Sequence, residues 1–266
     1  PGSTFKVVTA AAGIESGIVE PDTVFEDNGS IEIDGHVIVE ANRPDEMVTQ
    51  WTLTEGFAYS LNVVFAQVGL QIGRYELEER ARAFGLDTAL PFDEHVSAAQ
   101  IASDDDFLDS RAALADTAFG QGELLVTPLH MAMVASAVAN DGVAMRPYLV
   151  ARLRDQNGEA VSATEPEKLH DAIDQGTANI MQGLMVDAVE WGYAGAAILP
   201  GYRVGGKTGT AESGGEIPHG WFIGFAGENE PRVAVAVVLE HGGEGGGYPA
   251  QIGAQLLSTA LRIVPG

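Results

Sequence analysis

Cysteine is absent from this sequence, so no disulfide framework, thiolate nucleophile or cysteine-ligated metal site can be built. Histidine is sparse. The six are scattered, no two stand at the ligand spacing of His-Glu-x-x-His, and they read as surface or capping residues, with no metal and no cofactor expected. Basic residues are also few: 14 Lys and Arg stand against 38 Asp and Glu, and the formal net charge of −24 repels nucleic acid and anionic lipid alike. No nucleic-acid partner is expected. The acidity fits a saline habitat or a solubilising surface, and Asp104-Asp105-Asp106 reads as a solvated loop. Nor does any apolar run reach the roughly 18 to 20 residues that a membrane-spanning helix needs.

What is present is the material for a sizeable core. With 266 residues, 45% of them hydrophobic, and only 12 prolines, the chain can fold as one large domain or two fused subdomains. From Phe5 to Ser16 there is hardly a polar face, and Gly17 follows as a stop, which predicts a buried helix. Its first turn carries Ser3 and Lys6, which three-residue spacing places on one side; an ordinary serine there would be an N-cap.

Residues 21–50 are turn-rich, with Asn28-Gly29 and Asp34-Gly35 as hairpin turns between short alternating runs. Residues 52–139 carry helical patterns, and Ser60 and Asn62 fall between two of them. Residues 148–163 predict a hairpin with a type I′ turn at Asn157-Gly158. A helix over 177–190 follows, then strands over 203–211, 221–227 and 233–240, then a closing helix over 251–263. Three successive strands with a helix at the end predict an α+β architecture: an antiparallel sheet covered by helices on one face, beside a mostly helical subdomain. Gly205, Gly206 and Gly209 around Lys207 would let another backbone or a ligand approach that strand. The run Gly242-Gly243-Glu244-Gly245-Gly246-Gly247 lacks the Lys-Ser or Lys-Thr of a phosphate loop and reads as a flexible connection.

Three short motifs stand in one order: Ser3-Thr4-Phe5-Lys6, Ser60-Leu61-Asn62 and Lys207-Thr208-Gly209-Thr210. Further matches lie between and after them, in Trp51-Thr52-Leu53-Thr54-Glu55-Gly56, Gly120-Gln121-Gly122-Glu123, Val126-Thr127-Pro128-Leu129 and Trp221-Phe222-Ile223-Gly224-Phe225. Over nearly its whole length the chain resembles the transpeptidase domain of penicillin-binding proteins. A serine hydroxyl needs a base, and Lys6 is the available group if burial and the nearby cation Lys207 favour its neutral form. Ser60 could pass the proton to the leaving amine, Asn62 could hold Lys6 and the substrate amide, and Thr208 and Thr210 with Lys207 suit a terminal carboxylate.

The resemblance implies a β-lactamase/transpeptidase-like fold and an oxyanion hole from the backbone N–H groups of Ser3 and Thr210. It implies a peptidoglycan D,D-transpeptidase acting on stem peptides ending in D-Ala-D-Ala, inhibited by β-lactams, with cell-wall synthesis or division proteins as further partners. It places such a protein on the extracytoplasmic face of the bacterial cytoplasmic membrane, anchored through a segment outside this sequence. Residues 1–266 would form the domain without its N-terminal strands, with about 18–140 mixed and helical and about 141–266 holding the sheet. The open edge of 233–240 would then leave these residues poorly stable alone. A serine β-lactamase, a D,D-carboxypeptidase and a penicillin-sensing receptor domain stay open as alternatives. One lactamase version needs a Glu with an Asn four residues later, and no Asn occurs between Asn62 and Asn140.

Overall fold

This computed structural model describes residues 1–212, 214–215 and 217–264. One 3₁₀ turn, Gly2–Phe5, runs directly into helix α1, Lys6–Glu15, in which every residue from Lys6 to Gly13 is buried. The near absence of a polar face is therefore explained: α1 runs through the core, and Gly17, at φ +69°, ends it.

Strands β1 (Val24–Glu26), β2 (Ser30–Ile33), β3 (His36–Val39) and β4 (Gln50–Thr52) follow. Asp34 and Gly35 both have positive φ, 53° and 86°, and close the β2–β3 hairpin as expected. Asn28-Gly29 does not close one. The partner of β1 is β4, with Phe25 opposite Trp51, and the Gly29 N–H turns back to the Asp27 carboxylate instead.

Helix α2 (Leu53–Ala58) starts on a capping box of Thr52 and Glu55, and α3 (Asn62–Ala83) follows, broken at Gly73. Next come α4 (Arg111–Ala118) and α5 (Pro128–Ala139), each capped by a side-chain oxygen, Ser110 or Thr127. Strand β5 (Val143–Met145) pairs with β8 (Lys168–Asp171), and between them β6 (Arg152–Arg154) and β7 (Ala160–Ala163) form an exposed hairpin. Its turn is not type I′. Only Gly158 has positive φ, and the Asp155 N–H to Glu159 carbonyl bond makes it a type I turn with a glycine bulge.

Helix α6 (Gln175–Glu190), capped by Asp174, leads to the main sheet of β9 (Arg203–Ala211), β10 (His219–Gly227) and β11 (Val233–Leu239), and α7 (Tyr248–Ile263) closes the chain. The sheet is antiparallel in the order β11-β10-β9, with Lys207 opposite Ile223 and Thr208 opposite Phe222. The architecture is α+β. Both faces of the sheet are covered, not one, because β10 is buried at every residue from Gly220 to Gly227 whichever way the side chain points. Helix α7 lies on the Phe222 face, where Gly253 meets the ring, while α5 and α6 pack against the sheet from the side of α1 and α2. Phe222 and Phe225, fully buried, each contribute about 2 to 3 kcal/mol of apolar burial to this layer.

Gly205 and Gly206 prove to serve that packing. A Cβ at Gly205 would stand 2.2 Å from the Phe225 ring and one at Gly206 2.6 Å from the Phe222 ring, so the room they leave is filled by phenylalanine rather than by a ligand.

Candidate active site

The three motifs converge at the junction of α1, α3 and β9. Ser3 sits in the 3₁₀ turn, Lys6 opens α1, Ser60 lies between α2 and α3, Asn62 opens α3, and Lys207 to Thr210 run along the outer strand of the sheet. Ser60 holds φ +61°, a left-handed conformation unusual outside glycine. The chain spends roughly 1 to 2 kcal/mol of backbone strain there. Its carbonyl oxygen accepts a hydrogen bond from Lys6 Nζ at 2.6 Å.

Lys6 and Lys207 are both fully buried, an expensive arrangement for two cations. Lys6 Nζ donates to Asn62 Oδ1 at 2.8 Å and reaches Ser60 Oγ at 3.2 Å; Lys207 Nζ reaches the same Ser60 Oγ at 2.8 Å and the Thr208 carbonyl at 3.1 Å. Each lysine also faces an aromatic ring, Phe65 at 5.4 Å from Lys6 and Phe57 at 5.7 Å from Lys207. Burial lowers Lys6 to a pKa of about 7, against a partial upward pull from the Glu40 carboxylate. Lys207 is lowered well below its usual value, by burial first and by Lys6 second. A neutral amine is thus available in the neutral pH range.

Ser3 is partly exposed, and its hydroxyl makes no hydrogen bond among the described residues; it is not an N-cap. It lines a pocket of about 540 Å³ with Ser60, Asn62, Thr208, Gly209 and Thr210. Two glycines set the position of the serine. A Cβ on Gly2 would lie 2.5 Å from the Thr210 carbonyl oxygen, and one on Gly120 would lie 1.8 Å from the Gly2 carbonyl oxygen. Both have positive φ, 56° and 96°, so the 3₁₀ turn is wedged between the Gly120 loop and β9. This brings the backbone of Ser3 beside that of Thr210.

Every residue singled out from the sequence, Ser3, Lys6, Ser60, Asn62, Lys207, Thr208, Gly209 and Thr210, therefore lies in one cluster. A serine hydroxyl open to a pocket, one turn before a lysine whose proton affinity burial lowers, with a second hydroxyl joining that lysine to another, can carry out acyl transfer.

The model of the penicillin-binding-protein transpeptidase domain matches residues 1–258. The chain belongs to the penicillin-binding-protein transpeptidase family. This transpeptidase domain is 38% identical over 275 residues to a peptidoglycan D,D-transpeptidase, PbpA, of Mycolicibacterium smegmatis, covering 98% of the chain and 55% of that protein. Among solved structures it superposes on the D,D-transpeptidase domain of a peptidoglycan glycosyltransferase from Eggerthella lenta with a TM-score of 0.91 and 36% identity, over 99% of this chain and 65% of that one. On penicillin-binding protein A from Mycobacterium tuberculosis, as its imipenem acyl-enzyme complex, the TM-score is 0.89 at 35% identity, over 98% of this chain and 59% of that one. The chain spans about half the length of the curated relatives it matches.

Several residues of this pocket lie outside the three motifs. Ala41, Asn42, Gln121, Tyr193, Glu212, Glu244 and Gly246 complete its lining. Tyr193 OH donates to the Asn42 carbonyl at 2.5 Å and bridges one end. The glycine-rich connection lies against β9, with Gly245 buried and its N–H directed at Thr210 Oγ1 at 3.4 Å. Buried Glu40 stands behind Lys6. Of these, Gln121 stands in the Gly120-Gln121-Gly122-Glu123 match and Glu244 and Gly246 in the glycine-rich run read as a flexible connection, whereas Glu40, Ala41, Asn42, Tyr193 and Glu212 had no signal in the sequence.

Proposed function

We propose that this chain is the catalytic domain of a peptidoglycan D,D-transpeptidase, with Ser3 as its acylated nucleophile. The observation that carries the reading is the unbroken path Lys6 Nζ, Ser60 Oγ, Lys207 Nζ, whose middle member lines one pocket with Ser3. Ser3 Oγ attacks the carbonyl carbon of the penultimate D-Ala of a stem peptide while neutral Lys6 takes the hydroxyl proton. The amide C–N bond breaks, the proton reaches the leaving D-Ala nitrogen through Ser60 Oγ, and an ester on Ser3 remains. A primary amine of a second stem attacks that ester, gives its proton back along the same route, and leaves as the new amide. Ser3 is regenerated.

The N–H groups of Ser3 and Thr210 would hold the oxyanion, each typically worth roughly 3 to 4 kcal/mol of barrier. The terminal carboxylate of the donor fits Thr208, Thr210 and Lys207; an anion there favours the charged form of Lys207, which burial and then Lys6 disfavour. A β-lactam, whose strained amide and carboxylate mimic that end, would acylate Ser3 and stall. Such work belongs outside the cytoplasmic membrane, where the polymer lies.

The test is incubation with a penicillin followed by peptide mass mapping. One drug mass should appear on the peptide holding Ser3 and be absent in Ser3→Ala; labelling that survives the substitution overturns the assignment. With a D-Ala-D-Ala donor and an amine acceptor, amide product should outpace hydrolysis. Dominant hydrolysis would mark a carboxypeptidase, rapid penicillin turnover a lactamase, and labelling with no donor turnover a sensor.

A further inference from the structure

Glu40 has no place in that proton path, yet it is a carboxylate buried to 7% exposure directly behind it. It follows β3, twenty residues before Ser60, in a segment whose sequence pattern marks only turns. Its Oε2 accepts the N–H of Val63 at 3.0 Å, in the first turn of α3, and its Oε1 accepts the N–H of Asn42 at 2.9 Å. Asn42 in turn directs Nδ2 at the Ser60 carbonyl oxygen, at 3.4 Å, the same oxygen that accepts from Lys6 Nζ. One carboxylate thus anchors the start of the helix that carries Asn62 and the loop that backs Ser60.

No side-chain cation is within ion-pair distance of Glu40 among the described residues, so its charge is held by backbone N–H groups and the positive end of α3. The other groups around Lys6 are few. Strand β9 brings Lys207, α3 brings Asn62 and Phe65, which do not titrate, and α6 buries no titratable residue. Tyr193, whose hydroxyl is raised by burial, by Tyr59 and by Glu40, is uncharged at neutral pH. Glu212 and Glu244 are exposed at the mouth of the pocket. Among the described residues, Glu40 is therefore the one buried anion beside the two buried lysines.

We infer that Glu40 is a positioning residue of this site: its carboxylate fixes Asn62 through the N–H of Val63 and Ser60 through Asn42, and its negative charge acts on the Lys6 amine that those two residues hold. The inference rests on the acyl-transfer reading above. By geometry it acts through Ser60 and Asn62; by charge it holds a proton on Lys6 that the apolar surroundings would otherwise expel.

The test is the pH profile of penicillin acylation in the purified protein and in Glu40→Gln and Glu40→Asp. Loss of the negative charge should move the ascending limb about one pH unit toward acid, and Asp, which keeps the charge but withdraws it by one methylene, should move it the same way by less. The plateau rate should also fall in Gln, which can accept only one of the two N–H bonds. An ascending limb that stays in place in a folded Gln variant overturns the inference, even with a lower Tm, because a merely structural role changes stability without moving the limb. Should Gln not fold, the Asp profile decides by the same rule. Failure of the underlying reading looks different: acylation of the parent protein would then survive Ser3→Ala.

Discussion

Lys6 and Lys207 share one hydroxyl: Ser60 Oγ lies 3.2 Å from the first amine and 2.8 Å from the second. A hydroxyl has one proton to give and two lone pairs to accept with, so Ser60 can pass a proton between the lysine beside Ser3 and the far side of the pocket. Replacing it with alanine should cut both acylation and release of the leaving D-Ala by about 10² to 10⁴-fold, the usual worth of a placed acid–base group. Stopped-flow acylation of Ser60→Ala checks this. A loss under five-fold would mean that the proton travels another way.

The acid side of the pH profile belongs to Lys6. A base must be neutral, and with a pKa of about 7 the amine is protonated below neutrality and free above it. Acylation should therefore rise about ten-fold per pH unit up to about pH 7 and level off beyond. Lys6→Arg keeps a cation in place that cannot lose its proton in this range, so its rate should be lower by orders of magnitude at every pH tested. A flat profile in the parent, or an active Arg variant, contradicts the base role.

Much of this arrangement could be read from the residues in order. The ranges of β9, β10 and β11 follow from alternation and bounding turns, and the helix after Ser3 follows from a stretch with no polar face. What escaped were pairings between distant segments. Asn28-Gly29 has the composition of a hairpin turn, but β1 finds a better neighbour in β4, which places Phe25 and Trp51 side by side in the core. Glu40 is one glutamate among the 38 acidic residues, and nothing local distinguishes it; only the packing of β3 against α3 brings it to the N–H of Val63. Gly205 and Gly206 were legible as close-approach positions, but a sequence does not say that the approaching group is Phe225 or Phe222.

Gly120 gives a test of the wedge that seats Ser3. Gly120→Ala adds a Cβ 1.8 Å from the Gly2 carbonyl oxygen, at φ +96°, so both the strain and the clash must be relieved by moving residues 2 and 3. A cost of at least about 2 kcal/mol, or about 4 to 8 °C in Tm, is expected, with acylation down more than ten-fold. Gly17→Ala is the control. It meets the same penalty at φ +69° but touches nothing within 4 Å, so it should lower Tm by less and leave acylation unchanged. Equal acylation in the two variants would disconnect the Gly120 contact from the seating of Ser3.

Stability should record the burial of Lys6 as well. Its pKa falls from 10.5 in the unfolded chain to about 7 in the fold, so between those values the unfolded state binds more protons. The penalty on folding is full at and below about pH 7, on the order of a few kcal/mol, and fades as pH rises toward 10.5, where the unfolded chain also gives up the proton. Lys6→Met keeps a side chain of similar length and removes the titration. It also leaves the Ser60 carbonyl and Asn62 Oδ1 without their donor, a cost of about 1 to 3 kcal/mol each that does not vary with pH. The sign of the Tm change at any single pH therefore mixes two effects, but its slope does not. Tm of the variant minus Tm of the parent should be largest at pH 7 and shrink steadily toward pH 10. A difference that stays level over that range would show that Lys6 keeps its ordinary proton affinity in the fold, and an amine protonated at neutral pH cannot take the proton of Ser3.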